Sequence, residues 1–145
     1  MAVTARLYGR VFLAAFNKEI DWVDDVHKAM LVTSLYTPDQ DAHDYKNDVT
    51  NEVVGTGYVA GGNVIGSRTI TYTGATNKIT LDGADVQWPN STITARTAVV
   101  YDDAPVGDAA KPLIGYQQSD IDLSSNNGTW EIVWHANGIV EITVT

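Results

Sequence analysis

Cysteine is absent from the 145 residues, which excludes a disulfide framework, thiolate metal ligands and a cysteine nucleophile. Positive charge is scarce: nine Lys and Arg stand against eighteen Asp and Glu, a net charge of −9. Nucleic-acid backbones are held by Lys and Arg that neutralise phosphates, so the balance speaks against a nucleic-acid partner. The same acidity keeps free copies soluble and mutually repelling. No apolar run approaches the roughly 20 residues that span a bilayer, so no membrane partner is expected. The run Val11–Phe16, after Arg6 and Arg10, is also too short for the hydrophobic region of a signal peptide. Without a secretory route, the sequons Asn90-Ser91-Thr92 and Asn127-Gly128-Thr129 read as turns.

Reactive constellations are missing as well. His27, His43 and His135 lie in separate segments without metal-ligand spacing. Asp39, Asp41, Asp44 and Asp48 form the densest carboxylate cluster. An EF-hand loop starting at Asp39 would need glycine at its sixth position and glutamate at its twelfth, and those positions hold Asp44 and Thr50. A solvated acidic face is the simpler reading. Ser119, Ser124 and Ser125 lie near Asp120 and Asp122, but no nucleophile elbow surrounds them. The glycines from Gly55 to Gly66 form neither a Walker loop nor G-x-G-x-x-G, and serve sharp turns or close backbone approach. The chain is therefore expected to carry no catalytic residue, metal or cofactor.

What the sequence does hold is period-two alternation in short segments, the signature of half-buried strands. Strands are read at Arg6–Phe16, Val26–Tyr36, Val64–Tyr72, Lys78–Asp82, Thr92–Tyr101 and Leu113–Gln118, with a short piece at Val86–Trp88. Thr73-Gly74-Ala75-Thr76-Asn77 reads as a hairpin connection, and Asp102–Lys111 as a loop. One helix is predicted, over about residues 38–51. Thr37-Pro38-Asp39-Gln40 has the form of a capping box with proline at the first helical position, and Ala42, Tyr45, Val49 and Val53 follow at helical spacing.

Thr129–His135 and Ile139–Val144 read as a closing hairpin around Asn137-Gly138. A two-residue turn leaves neither face apolar, whereas a three-residue loop with a left-handed Gly138 puts Trp130, Ile132, Trp134, Val140, Ile142 and Val144 on one side. The pattern thus selects the longer loop and assigns those six to the core. The whole, residues 1–145, reads as a single domain of all-β class, a mainly antiparallel sandwich or barrel-like fold with one short helix. With Trp130 and Trp134 committed to the interior, Trp22 and Trp88 remain as exposed candidates to seat on a partner, and Tyr36 and Tyr58 join them on composition and position, because Trp and Tyr are enriched at interfaces.

Three stretches add a resemblance: Asn51–Gly62, Asp85–Trp88 leading into Thr92–Tyr101, and Pro112–Tyr116 with the closing Trp134…Gly138 segment. In these the chain resembles small structural proteins of tailed bacteriophages, and among them head decoration, or cement, proteins. The resemblance implies a virion component made in the host cytoplasm and displayed on the capsid surface. It implies the major capsid protein as partner and a homo-oligomer, a trimer where a capsid offers threefold sites. Minor tail, fibre or baseplate proteins are the alternative, and a carbohydrate-binding domain a further one.

Overall fold

The computed structural model describes every residue, Met1–Thr145. In chain order the elements are β1 (Val3–Leu7), α1 (Val11–Phe16), β2 (His27–Val32), β3 (Asn63–Val64), β4 (Thr69–Thr73), β5 (Lys78–Asp82), β6 (Val86–Ser91), β7 (Thr94–Asp102), β8 (Leu113–Ser124), β9 (Gly128–Ile132) and β10 (Val140–Thr143). They form a five-stranded sheet ordered β1-β8-β7-β2-β3, a three-stranded sheet β10-β5-β4 and a two-stranded sheet β6-β9. Every pairing is antiparallel. The fold is all-β, as the alternation implies, and the sheets stack as an open sandwich without closing into a barrel.

Register explains which residues meet inside. On the inner face of the large sheet, Ala29, Val100, Gly115 and Leu7 stand in one cross-strand row, and Leu31, Ala98, Gln117 and Ala5 in the next. Trp22, Val86, Trp88 and Ile132 pack against these rows from the opposite side and complete the larger core. The outer face carries Tyr8, Met30, Val32, Tyr36, Val99, Tyr101, Leu113 and Tyr116. Over it lies the segment following β2, tied down by the Lys46 amide donating to the Lys111 carbonyl and by Lys46 Nζ 5.6 Å from the Tyr101 ring. Gly62 adopts φ +76° with the Ala29 carbonyl oxygen 2.0 Å from where a Cβ would sit, so only glycine lets β3 approach β2 there.

Besides Val64–Tyr72, which splits into β3 and β4 in different sheets with residues 65–68 in neither, three expectations are overturned. Arg6–Phe16 is not one strand: β1 ends at Leu7, and Val11–Phe16 forms α1, with Val11 and Ala14 buried three residues apart. The run Val-Phe-Leu-Ala-Ala-Phe is apolar throughout, and periodicity alone does not separate a strand from a helix in such a run. The helix over residues 38–51 does not form beyond a 3-10 turn at Lys46–Asp48. Aspartate side chains capture the amides that a helix would use: Asp39 Oδ1 accepts from Asp41 and Ala42, and Asp48 Oδ2 from Asp44 and Tyr45. Gln40, instead of closing a capping box, donates to the Leu7 carbonyl.

The closing hairpin is the third. β9 pairs with β6, placing Trp130 opposite Trp88, and β10 pairs with β5, placing Ile142 opposite Ile79. Between them Trp134 anchors the crossing chain, its amide donating to Asp85 Oδ1 and its indole N–H to the Ala84 carbonyl. Gly138 is left-handed as expected, φ +98°, but closes a turn onto His135 that leads away from β9. The inward face was assigned correctly for Ile132, which is buried, and in part for Trp130, Trp134, Val140 and Ile142, which are half-buried; Val144 is exposed. The β4–β5 hairpin pairs Thr73 with Lys78, as the turn residues indicated.

Candidate functional site

Of the four aromatics expected at an interface, Trp22, Tyr36 and Trp88 lie inside and Tyr58 is half-buried. Trp22 is 5% exposed and Trp88 1%. The Trp22 indole N–H is shared between the Thr69 and Asp82 carbonyls at 2.9 and 3.3 Å, stitching the β1–β2 connection to the three-stranded sheet. Trp88 lies between Tyr58, stacked at 6.0 Å, and the edge of Trp130 at 5.7 Å. The Tyr58 hydroxyl donates to Glu52 and accepts from the Leu31 amide, completing the ladder of β2 where the two-residue β3 has ended. Tyr36 is buried on the opposite face of the large sheet, where its hydroxyl meets those of Tyr8 and the His43 imidazole. Burial removes Trp22, Tyr36 and Trp88 as docking residues, while the half-buried Tyr58 keeps part of its ring at the surface; each of the four has a structural task. Trp88 is equally closed to a glycan.

One buried titratable couple stands out. His27 and Asp102 face each other across β2 and β7, both fully buried, with Nε2 and Oδ2 3.5 Å apart. His27 Nδ1 is 3.2 Å from the Asp25 carbonyl; a carbonyl only accepts, so Nδ1 carries the proton and Nε2 is the acceptor. Burial pulls the imidazole down to about 4, against the smaller opposing pull of the Asp25 carbonyl. Burial pushes the Asp102 carboxyl up to about 7, with the Asp25 and Asp103 carboxylates adding to it. Between about pH 4 and about pH 7 the arrangement is a neutral imidazole beside a carboxyl that keeps its proton. Apart from Nδ1 of His27 and the Asp102 Oδ1 that accepts from Ala104, the couple touches no other polar partner, and the Trp22 ring covers it at 4.7 Å. Such a couple lacks the access a general acid or base needs. Nearby, Lys28 and Lys111 hold the Asp103 carboxyl below its ordinary value despite partial burial.

The open side of the sandwich is a different matter. β1 and β10 are edge strands, each paired on one side only. Between the large sheet and the β9 side runs a groove of about 590 Å³. Its floor is the inner face at Ala5, Ala98, Gln117 and Ser119, and its far wall is Trp130, Ile132 and Trp134. Gln117 Oε1 is shielded from water and has no hydrogen-bond partner. Both indoles of the wall are pinned, Trp130 to the Leu123 carbonyl and Trp134 to that of Ala84.

Further along the same side, a smaller pocket of about 240 Å³ under α1 is lined only by apolar side chains, Phe12, Ile70 and Ile142 among them. Around it Phe12, Leu13 and Phe16 of α1 and Ile70 and Tyr72 of β4 stay exposed, Phe16 at 84%. These residues escaped notice because Val11–Phe16 read as strand and Trp130 and Trp134 as closed core. The one usable signal was two phenylalanines and a leucine beside charged Arg10 and Lys18, an apolar run too rich for a free surface. No family model, curated protein or solved structure matches the chain.

Proposed function

We propose that the protein is a virion structural component of a tailed bacteriophage, and within that class a head decoration protein. It binds the outer surface of the major capsid protein, stabilises the shell and has no reaction of its own. In this reading it is made in the host cytoplasm and ends on the capsid surface as a homo-oligomer, a trimer suiting threefold sites. The observation that carries the reading is the apolar surface on and around α1, where Leu13 and Phe16 are 60% and 84% exposed beside an apolar pocket. Contiguous apolar surface of this kind marks an interaction site on an otherwise soluble chain. The net charge of −9 favours a partner over free self-association.

The test adds purified protein to heads that lack it and follows co-sedimentation and resistance of the heads to heat. Saturable binding with a raised disruption temperature is expected. Antibody-gold labelling of intact virions locates the copies: labelling over the whole head supports the reading, labelling at one end replaces it with a tail, fibre or baseplate role, and no labelling overturns both.

A further inference from the structure

We infer that β1 is a self-complementary edge: two copies of the chain join through it, strand antiparallel to strand about a twofold axis at Thr4, in a weak, reversible dimer. The pairing concerns the free protein and does not rest on the capsid reading.

The edge is open over its first half and closed over its second. In an antiparallel ladder, residues that bond to one neighbouring strand alternate with residues that turn N–H and C=O to the other side. The Ala2 carbonyl accepts from the Asp120 amide, and the Tyr8 amide donates to the Ile114 carbonyl. The even-numbered residues are therefore spent on β8, and Val3, Ala5 and Leu7 face away from it. The Leu7 carbonyl is already taken by Gln40 Nε2 at 2.7 Å, and the Gly9 amide donates to the Gln40 carbonyl. Val3 and Ala5 are exposed, and no hydrogen bond from outside the ladder reaches them. The devices that blunt an exposed edge are missing. β1 has no proline or lysine, and its register with β8 runs without a bulge from Val3 to Leu7. The opposite edge of the same sheet, β3, is only two residues long.

The pattern along β1 fits a second copy of itself. With Thr4 facing the partner's Thr4, Val3 pairs with the partner's Ala5, and Ala5 with the partner's Val3. Each pair makes two main-chain hydrogen bonds from groups that are otherwise unpaired. Val3 and Ala5 of both copies then share the inner face, while Thr4 and Arg6 stay on the outer. Centring the axis on Ala5 would set Val3 against the partner's Leu7, whose carbonyl Gln40 holds.

Charge decides between a second copy and a foreign strand. The chain carries −9, yet residues 1–18 contain Arg6, Arg10 and Lys18 and no acidic residue, so copies repel least at this edge. Arg6 alone among the arginines has no hydrogen-bonded partner. Asp44 holds Arg10, main-chain carbonyls hold Arg68, and Asp122 holds Arg96. In the Thr4 register Arg6 stands opposite the partner's Ala2, and the partner's Asp120 follows in the same cross-strand row. Two strand spacings, about 10 Å, separate their main chains, and only the alanine methyl lies between. The Asp120 carboxylate is engaged by the Ala2 amide alone. An extended guanidinium reaches it, and symmetry forms the contact twice.

The experiment follows sedimentation velocity of the full chain up to about 1 mM. A reversible monomer–dimer equilibrium with Kd of about 10–100 μM is expected for so small an interface. Ala5→Pro deletes an outward N–H without taking a bond from β8. It should weaken the dimer at least about tenfold and leave the denaturation midpoint in place. Arg6→Asp and Asp120→Arg should each weaken it about threefold or more, and the double variant should restore it. Leu13→Ser combined with Phe16→Ser should leave it unchanged. A wild-type chain that stays monomeric at about 1 mM, or that sediments as a trimer, overturns the inference. So does a dimer that Ala5→Pro leaves intact, or one that the α1 variant abolishes. Should Ala5→Pro fail to fold, the charge exchange decides: a double variant that does not regain the dimer overturns the pairing.

Discussion

The two faces of the five-stranded sheet bury polar atoms by opposite means. The outer face is roofed by a loop and contains four tyrosines, Tyr8, Tyr36, Tyr101 and Tyr116. The Asp39 amide donates to His43 Nδ1, which must therefore accept from the Tyr36 hydroxyl too, leaving Tyr8 to donate to Tyr36. Tyr101 donates to the Gly61 carbonyl at 2.7 Å. A loop brings main-chain and imidazole acceptors that need donors, and tyrosine supplies one at the end of an apolar ring. The inner face is roofed by sheets whose main chain is already paired, and it is packed with aliphatics and tryptophan. Of the five buried side-chain atoms without a partner, those of His27, Trp88, Asp102 and Gln117 belong to the inner side and only Thr97 Oγ1 to the outer. A sheet roof packs densely but offers stray polar atoms nothing; a loop roof packs less apolar area but satisfies them.

The largest effect that would test this contrast is loss of inner packing. Trp88→Ala removes a ring enclosed by Tyr58, Trp130 and the sheet, and should lower the unfolding free energy by about 3–5 kcal/mol in guanidinium denaturation. A loss below about 1 kcal/mol would mean that the β6–β9 sheet is not docked on the large sheet as described.

Next in size is the pH response of the inner couple. Asp102 is raised from its ordinary value to about 7, so alone it stabilises below about 4 and loses that contribution as pH rises through 7. His27 is lowered from 6.5 to about 4, so alone it stabilises above 6.5 and loses that contribution as pH falls through 4. Between these limits the folded pair holds one proton on the carboxyl and the unfolded pair one proton on the imidazole, and the two slopes cancel. Each single substitution should unmask the other member. Relative to wild type, Asp102→Asn should become more stable from pH 4.5 to 6.5, and His27→Gln less stable, each by up to about 1.4 kcal/mol per pH unit. Parallel pH profiles for the two variants would break the account.

On the outer face the expected losses are smaller because one hydrogen bond is removed at a time. Tyr36→Phe deletes the middle of the chain, leaves the Tyr8 hydroxyl without its acceptor, and should cost about 1–2 kcal/mol. Tyr8→Phe removes only an end and should cost about 0.5–1.5 kcal/mol. Equal losses would show that the three groups do not act as a directional chain.

Alternation carried most of the strands, and Lys78–Asp82 matched its element residue for residue, because side-chain periodicity is a local property. Pairing partners were not local. Trp130, Ile132 and Trp134 have the inward pattern of a hairpin strand, yet the contacts that set their sheet are the Trp88 ring and the carbonyl of Ala84, more than forty positions away in the chain. The expected helix failed for a reason readable only with the fold in hand: Gln40 is drawn to the Leu7 carbonyl and the Lys46 amide to that of Lys111. Trp22 and Trp88 were misjudged because their exposure was inferred by elimination, as what remained after the other tryptophans were placed in the core. The groove was invisible, since it arises from Ala5, Gln117 and Ala98 meeting on three strands.

The smallest effect on stability belongs to a third surface, one that neither roof covers. Leu13 and Phe16 project from α1 with 60% and 84% of their surface in water, so they add little to either core. Leu13→Ser and Phe16→Ser should each change the unfolding free energy by no more than about 0.5 kcal/mol. Were they part of a fold-stabilising cluster, the loss would approach that of a buried leucine. Their contribution is expected where apolar area leaves water only on docking: the double variant should keep wild-type denaturation midpoints while losing co-sedimentation with heads. A fully stable double variant that still binds would remove α1 from the interface, and an unstable one would make it part of the core.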